Sequence, residues 1–310
     1  MNGVLIIDKP AGLTSHDVVN RVRRILGQKS VGHLGTLDPM ATGVLPLVVG
    51  NFTRLAQFYA HSEKCYEGAI RFGFSTDTYD AEGEPTSAPQ AVTVSADLLE
   101  PLAARFRGAI EQVPPPFSAK KINGVPAYKL ARKQKPVELK PVQVEIKEFD
   151  ILSAESDRAT FRARVASGTY MRSIAHEMGR ALGCGAHLGS LRRTAVAEFT
   201  IADAHTLEDV ARALLPASPV GTQDSPEALN DLCVHPRKLL PLLPSVTADE
   251  LATAHIRNGR TVNLLELSRA RQVKVFSGQR ELIAIATRIA GTLFHPAIVL
   301  CGADTLVRQA

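Results

Sequence analysis

A stiff, glycine-rich loop with a single carboxylate lies near the start of the chain, at Gly32–Pro39, and an apolar run follows it at Val44–Val49. Glycine frees the backbone to turn sharply, whereas Pro39 restricts Asp38 to an extended conformation. The apolar run predicts a buried strand, in which Pro46 indicates an edge or bulge position. A lone acid held against a core strand is either a turn former or a nucleophile, and the local pattern leaves both open.

Two longer helices and a short one near 52–60 are predicted in the first half of the chain. Thr14 or Ser15 is a suitable N-cap for a helix that Gly27 ends, and apolar periodicity predicts a second helix over 95–112. Strand-like runs alternate with such helices without the regular spacing of parallel βαβ units. We therefore predict an α+β fold in which a mixed, mainly antiparallel sheet has flanking helices.

The length of the chain and its C-terminal pattern predict two domains. A chain of 310 residues is long enough for more than one core. Short β-like runs beyond about 245 predict a small β-rich domain, and Pro216–Pro226 is the best linker candidate. We therefore place the two domains at 1–240 and 241–310.

The positive charge of the chain is concentrated in one segment that is rich in proline and lysine. Residues 105–147 contain ten lysines and arginines and three acids, a net charge of +7, whereas the whole chain carries +5. The remainder is therefore slightly acidic. A basic segment of this kind is typical of polyanion binding, although a solvated lysine-rich surface has the same composition.

Several classes of site find no support in the sequence. The four cysteines lie far apart without a Cys-x-x-Cys pair, which favours free thiols in a reducing cytoplasm over a zinc site or disulfides. The nine histidines form no ligand pattern, and the glycines from Gly183 to Gly189 follow a helix where a dinucleotide loop needs a strand. No apolar run reaches the length of a membrane span, and no signal peptide is apparent. We expect no metal, no cofactor and no membrane association.

Two further side chains are notable for their local context. Period-two alternation in the strand that begins at Lys64 places Tyr66 on an apolar face, as is typical of a core or half-buried aromatic. Arg172 lies at the start of a predicted helix, where the helix dipole disfavours a cation unless an anion holds it. Taken singly, neither pattern decides between a structural and a functional role.

A set of motifs occurs together in a specific order. They are Asn2–Pro10, Gly32–Pro46, Lys64–Tyr66 and Gly168–Arg172, supported by Val113–Pro115, Gly183–His187 and Leu191–Arg193. With these motifs the chain resembles the TruB family of bacterial tRNA pseudouridine synthases from residue 2 to about 200. Leu34, where the family usually has threonine, and Met40, which is often leucine, depart from the pattern and bear only on loop packing. Beyond about 240 the match is faint.

The resemblance implies a fold and an activity. The fold is a pseudouridine synthase domain followed by a PUA-like RNA-binding domain. The activity is the isomerisation of uridine 55 in the T loop of tRNA to pseudouridine, by base flipping, glycosidic bond cleavage and reattachment at carbon 5, without a cofactor or metal. Of the implied catalytic residues, Asp38 is the nucleophile that attacks ribose C1′ or uracil C6, Arg172 is its ion-pair partner, and Tyr66 stacks on the uracil.

The resemblance also implies how the substrate is bound. The residues implied to bind it are Lys9, His33, Tyr170, Leu191, Lys120 and Lys121. His33 would fill the space that the flipped uridine leaves, and Lys9 would support the pocket. The basic segment 105–147 would be a mobile thumb that closes on the T arm through its phosphates.

The expected partner is tRNA, contacted at the T arm and elbow by a cytoplasmic monomer that needs no protein partner. Two alternatives remain open. One is a non-catalytic chaperone that folds tRNA by opening its elbow, and the other is a partner-dependent, dyskerin-like RNA pseudouridine synthase. The substitution Asp38→Asn should abolish isomerisation but leave a chaperone activity intact. Activity on naked tRNA without added proteins would exclude the partner-dependent enzyme.

Overall fold

The computed structural model describes residues 1–118, 120–122, 124–127, 130, 139–214, 226–266 and 268–301. Among these residues, the strands are β1 (Gly3–Lys9), β2 (Val31–His33), β3 (Thr42–Val49), β4 (Lys64–Phe72), β5 (Gly108–Gln112), β6 (Lys121–Ile122), β7 (Val125–Pro126), β8 (Val142–Glu155), β9 (Arg158–Val165), β10 (Ala186–Val196), β11 (Phe199–Thr200), β12 (Ser245–Ala248), β13 (Val262–Asn263), β14 (Gln272–Ser277), β15 (Glu281–Ala290) and β16 (Leu293–Val299). The helices are α1 (Ser15–Leu26), α2 (Ala96–Ala104), α3 (Met171–Leu182), α4 (Leu207–Arg212), α5 (Pro226–Asp231) and α6 (Glu250–Arg257), with 3₁₀ helices at Gly50–Tyr59, Ile201–Asp203 and Pro236–Lys238.

The larger sheet is mixed and mainly antiparallel, as predicted. Its strands follow the order β1-β3-β10-β4-β9-β8-β5, with β2 added to β3 and β11 added to β10. The pairing of β10 with β3 is parallel, and the other pairs of this sheet are antiparallel. This topology places β4 next to β10 in the middle of the sheet, beside the loop that joins β2 to β3.

Helix α1 begins and ends at the residues that its local sequence indicates. Thr14 and Asp17 exchange hydrogen bonds in a capping box, and Gly27 ends the helix in the left-handed region at φ +59°. Val18 and Val22 are fully buried against the sheet. The predicted helix with an N-cap at Thr14 or Ser15 is therefore confirmed, and Thr14 is the cap.

The prediction of an edge or bulge position for Pro46 is wrong, because β3 has neighbours on both sides. Pro46 lies opposite Ile6 of β1. On the other side of β3, pairing with β10 ends at Gly43 and pairing with β2 begins at Leu47. Pro46 therefore falls in the gap between two partners, where a missing N–H leaves no ladder bond unmade.

The predicted helix over 95–112 is correct only in its first half. Helix α2 ends at Ala104, and Gly108 takes a φ of +90°, which a continuing helix does not allow. The chain then continues as β5, which pairs with the start of β8. Residues 108–112 and 142–147, near the two ends of the basic segment 105–147, therefore belong to the sheet.

Much of the predicted thumb, and of the predicted linker, lies outside the described residues. In the thumb these are residues 119, 123, 128, 129 and 131–138, together with the side chain of Lys121, whereas Lys120 is described and exposed. In the linker they are residues 215–225. The thumb and linker assignments therefore stay predictions.

The C-terminal part of the chain forms the predicted β-rich unit. Its sheet has the order β12-β14-β15-β16-β13 and encloses its own apolar core, with Val275, Ile283 and Phe294 fully buried. A shared apolar cluster that includes Phe52 and Phe276 packs the two sheets together. Among the described residues, no helix combines the length and the apolar character that crossing a membrane requires.

Candidate active site

The loop that carries Asp38 is held from the helix side and from the first strand. Ser15 Oγ accepts a hydrogen bond from Leu37 N at 2.8 Å and donates to Leu37 O at 3.1 Å. Lys9 Nζ donates to Pro39 O at 3.0 Å, one residue beyond Asp38. Since Lys9 is fully buried, burial lowers the pKa of its amine to about 8. The peptide units on both sides of Asp38 are therefore fixed.

A buried arginine of β10 holds the same loop from the sheet side. Arg193 has no exposed surface, and its guanidinium donates to three backbone carbonyls, those of Gly35 at 3.0 Å, Thr36 at 3.3 Å and Val44 at 2.8 Å. Among the described residues, it forms no ion pair. The loop thus takes its shape from contacts with α1, β1 and β10, and Asp38 projects from a rigid frame.

Asp38 forms an ion pair with Arg172, as the family resemblance implied. Arg172 Nε lies 2.9 Å from Asp38 Oδ2, and Nη2 donates to Oδ1 at 3.1 Å. The Arg172 side chain is 6% exposed and that of Asp38 36%, so the carboxylate faces the cavity while its partner is enclosed. Removal from water raises the pKa of Asp38, and the guanidinium opposes that shift.

A second carboxylate holds the other side of Arg172. Asp80 Oδ2 lies 3.4 Å from Arg172 Nη1, and its side chain is 5% exposed. The same guanidinium donates to Thr78 O and to Phe117 O, each at 3.0 Å. Because Asp80 also raises the pKa of Asp38, the two carboxylates share one guanidinium and act on each other.

The loop that carries Asp80 is strained and anchored by an aromatic stack. Tyr79 takes a φ of +65°, which is rare for a residue with a β-carbon. Its ring stacks on His176 of α3 with centroids 3.8 Å apart and planes 11° from parallel. His176 lies one helical turn beyond Arg172 on the same face of α3. The stack therefore holds the Asp80 loop next to the Arg172 guanidinium.

Five predicted site residues line one cavity of about 450 Å³. They are Asp38, Tyr66, Tyr170, Arg172 and Leu191. Tyr66 and Leu191 come from the paired strands β4 and β10, whereas Tyr170 is the residue just before α3. Burial raises the pKa of the Tyr170 hydroxyl. The cavity is large enough for a small ring system, and its walls combine aromatic and apolar faces with the carboxylate of Asp38.

Lys9 and His33, two further predicted binding residues, lie outside this lining. Lys9 lies behind the loop, with its amine directed to the carbonyls of Pro10 and Pro39. His33 ends β2, and its Nδ1 accepts a hydrogen bond from Gly35 N at 3.3 Å. Burial, and then Arg193, lower the pKa of the His33 ring.

Sequence reasoning missed three residues of the site. Asp80 lies in a polar stretch with several acids, where nothing local separates it from Asp77 or Glu84. Arg193 and Lys64 are contained in the motifs, yet the motifs alone give neither a role. Both line the cavity with Asp38. A charged residue inside a strand pattern was the available signal, since strand interiors seldom bury a cation without a reason.

Two observations separate this cavity from other candidates. A larger cavity of about 850 Å³ lies between the two sheets and is lined by Arg54, Cys233 and Arg280 among others, but it contains none of the predicted site residues. Within the described ranges, no three His, Cys, Asp or Glu side chains lie close enough together to hold a metal ion. Five of the predicted site residues therefore lie together in the Asp38 cavity, and none of the described ones lines the larger one.

Comparison with protein families identifies the chain. Residues 23–171 match the family model described as "TruB family pseudouridylate synthase (N terminal domain)", and residues 172–234 match "tRNA pseudouridylate synthase B C-terminal domain". The chain is 50% identical over 303 residues to tRNA pseudouridine synthase B of Solibacter usitatus (strain Ellin6076), covering 97% of this chain and 100% of that protein. It is 44% identical over 211 residues to tRNA pseudouridine synthase B of Aquifex aeolicus (strain VF5), covering 67% and 73%.

Solved structures agree with this assignment at the level of the fold. A crystal structure of a Cbf5–Nop10–Gar1 complex aligns with a TM-score of 0.69 and 26% identity, over 97% of this chain and 86% of that one. An H/ACA RNP bound to a substrate RNA that contains 2′-deoxyuridine aligns with a TM-score of 0.70 and 24% identity, over the same shares. The predicted pseudouridine synthase fold with a PUA-like C-terminal β domain is confirmed, and the chain belongs to the TruB family of pseudouridylate synthases.

Proposed function

We propose that this chain isomerises uridine 55 in the T loop of tRNA to pseudouridine, with Asp38 as the nucleophile. The observation that carries the proposal is the ion pair between Asp38 and Arg172 in a cavity lined by Tyr66 and Leu191. A carboxylate that is fixed, paired and open on one side is suited to attack on a bound nucleoside. The relatives from Solibacter usitatus and Aquifex aeolicus are both named tRNA pseudouridine synthase B, which supports tRNA as the substrate and pseudouridine as the product.

In the proposed reaction the glycosidic bond between uracil N1 and ribose C1′ breaks, and a bond between C5 and C1′ replaces it. Asp38 attacks C1′ of the ribose or C6 of the uracil, which holds one fragment while the base rotates. The C5 proton leaves to solvent or to a base, N1 takes up a proton in place of its bond to the ribose, and the bond to Asp38 breaks, so the product is an isomer of the substrate and the carboxylate is regenerated. Arg172 keeps Asp38 ionised and oriented, because a protonated carboxyl is a poor nucleophile.

The cavity accepts the target base only after it leaves the folded T loop. Flipping costs roughly a few kcal/mol, and contacts in the cavity must offset that cost. In this proposal Tyr66 stacks on the uracil, while Tyr170 and Leu191 enclose it. His33, at the end of β2 next to the Asp38 loop, fills the vacated space, and Lys9 supports the loop from behind.

The rest of the chain serves tRNA binding in this proposal. Residues 1–240 form the catalytic domain, and 241–310 form the RNA-binding domain. The basic segment 105–147 closes on the T arm and elbow, with Lys120 and Lys121 binding phosphates. The enzyme acts in the cytoplasm as a monomer without a protein partner, and its chemistry uses neither a metal nor a cofactor.

The experiment is to map pseudouridine in an unmodified tRNA transcript by carbodiimide labelling and reverse-transcription stops, in EDTA. We expect a stop at position 55 with the wild-type protein and none with Asp38→Asn, a loss of at least roughly a thousandfold. The isosteric amide keeps the shape of the loop and removes the nucleophile. Asp17→Asn, on the exposed first turn of α1, is the control for a general effect of removing a carboxylate.

The same experiment decides against the proposal if a folded wild-type protein leaves no stop. Tight tRNA binding without a stop would favour a chaperone that opens the elbow. Activity that appears only after adding a cell extract would favour a partner-dependent enzyme. A stop that persists with Asp38→Asn would reject Asp38 as the nucleophile and leave the substrate assignment standing.

A further inference from the structure

Lys64 is a cation of the active-site cavity that the proposed reaction leaves without a role. It is the first residue of β4, two residues before Tyr66, so both side chains point to the same face of the strand. Both line the cavity with Asp38. Lys64 is half-buried, which is unusual for a lysine that is not paired with an acid.

The contacts of Lys64 leave its charge uncompensated. Its Nζ donates to Ser62 O at 2.7 Å, and among the described residues it forms no ion pair. The adjacent acid, Glu63, is already bound to Lys147 and to Arg164. An ammonium has three N–H groups, so Lys64 has donors left for a ligand.

A second cation lies beside Lys64 and adds to the positive field. A β-carbon at Gly35 would lie 3.6 Å from both Lys64 Cε and Arg193 Nη1, so the two cations flank the same loop residue. Burial, followed by Arg193, lowers the pKa of the Lys64 amine to about 8. This wall of the cavity therefore has two cations and, in the part of the chain that the structure describes, no acid paired to either.

The position of Lys64 suits the nucleotide that the proposed function places in the cavity. If the target base stacks on Tyr66, the next side chain on the same strand face lies about 7 Å away, since each residue of a strand rises by about 3.4 Å. The loop after β9 adds the polar residues Ser167 and Thr169 to the same lining. An RNA strand that places a base in the cavity brings its phosphates to the rim.

We propose that Lys64 binds a phosphodiester of the RNA strand next to the flipped nucleotide and so holds the target base in the cavity. The inference rests on the proposed function and extends it from the base to the backbone. A compact ammonium is a common phosphate ligand, and a half-buried one gains more from the contact than a solvated one. Lys64 acts on binding, since it does not contact the Asp38–Arg172 pair.

The test is a cycle that combines Lys64→Met with neutral methylphosphonates placed singly on each side of the target uridine in a T-arm hairpin. We expect Lys64→Met to lower kcat/KM roughly 10- to 100-fold on the unmodified hairpin, mainly through KM. At one position, the methylphosphonate should cost the wild type the same factor and cost Lys64→Met nothing further. Release of tritium from carbon 5 of the uridine measures the rate, and fluorescence anisotropy measures binding of the same hairpins.

The controls distinguish binding from folding and from the proposed function. Lys64→Arg should recover part of the loss, and the exposed Lys29→Met should show none. The thermal midpoint of Lys64→Met should match that of the wild type, since methionine keeps the packed stem. If the loss caused by Lys64→Met and the loss caused by the methylphosphonate multiplied at every position, in rate and in binding, the proposed contact between Lys64 and a phosphate would be wrong. Absence of tritium release by the wild type would instead contradict the proposed function, and the binding cycle would still decide the role of Lys64.

Discussion

Two buried arginines in the same cavity have opposite surroundings. Arg172, at the start of α3, is held by the carboxylates of Asp38 and Asp80 as well as by carbonyls. Arg193, in β10, is held by carbonyls alone. Asp38, Asp80 and Arg172 therefore form a charge network whose members influence each other's protonation. The contacts of Arg193 instead fix the backbone of the Asp38 loop and of β3.

The difference indicates what each arginine contributes. A guanidinium bound to carboxylates controls their ionisation and orientation, here those of Asp38. A guanidinium bound to peptide carbonyls keeps its positive charge uncompensated and shapes the loop on which that group is carried. We therefore expect substitution of Arg172 to act on the reaction and substitution of Arg193 to act on stability.

Arg172→Met tests the charge network of Asp38, Asp80 and Arg172, and we expect it to have the largest effect on activity. Two carboxylates lose their shared cation, so the pKa of Asp38 rises further and less of it is ionised. We expect kcat to fall by roughly a thousandfold, about 4 kcal/mol in barrier. The residual activity should have an acid limb at higher pH than that of the wild type, because the carboxylate is the active form.

The control for Arg172→Met is Arg180→Met on the same helix, where the arginine is 73% exposed. Rates on the T-arm hairpin between pH 5 and 9, with both proteins at saturating RNA, give the comparison. An acid limb that stays in place after Arg172→Met would show that the guanidinium does not set the ionisation of Asp38.

Arg193→Met tests the backbone contacts of Arg193, and we expect the second-largest effect, on stability. It leaves the carbonyls of Gly35, Thr36 and Val44 without their donor in a buried position. We expect the free energy of unfolding to fall by about 3 kcal/mol, since each buried unsatisfied group costs about 1–3 kcal/mol and water entering the cavity recovers part. The folded fraction should keep most of its kcat.

Urea unfolding followed by circular dichroism measures this loss. Arg192→Met is the matched control in the same strand, because its ion pair with Asp8 is partly exposed and worth at most about 1 kcal/mol. If Arg193→Met abolished kcat while leaving stability unchanged, the structural role that we assign to Arg193, as opposed to the electrostatic role of Arg172, would be wrong.

The same two regions show what the sequence could predict. The two ends of α1, an N-cap at Thr14 or Ser15 and a stop at Gly27, were correctly predicted because each end depends on residues within about one helical turn of it. The pairing of Asp38 with Arg172 was implied by the family motifs, although the two residues are 134 positions apart. Asp80 was not found, because its role depends on where the loop folds back over α3.

The two wrong predictions have the same origin in tertiary context. Pro46 is locally typical of an edge residue, yet it lies in a gap between two partner strands that only the topology creates. The helix predicted over 95–112 is based on apolar periodicity, but Gly108 breaks it and β8 supplies a pairing partner for residues 108–112. Neither the partner strands of β3 nor the pairing of β5 with β8 can be read from local sequence propensity.

Asp80→Asn sharpens the comparison with the smallest expected effect. Asparagine keeps the size of the side chain but removes the charge that raises the pKa of Asp38. The acid limb of kcat should therefore move to lower pH, the opposite direction to Arg172→Met. At neutral pH kcat should fall roughly tenfold, because a neutral amide holds the guanidinium less firmly than a carboxylate does. Asp77→Asn, in the same loop but bonded to Glu84 N at the surface, should leave both quantities unchanged. A limb that moved upward would mean that loosening of Arg172 outweighs the lost repulsion, so that Asp80 acts on Asp38 only through the position of the arginine.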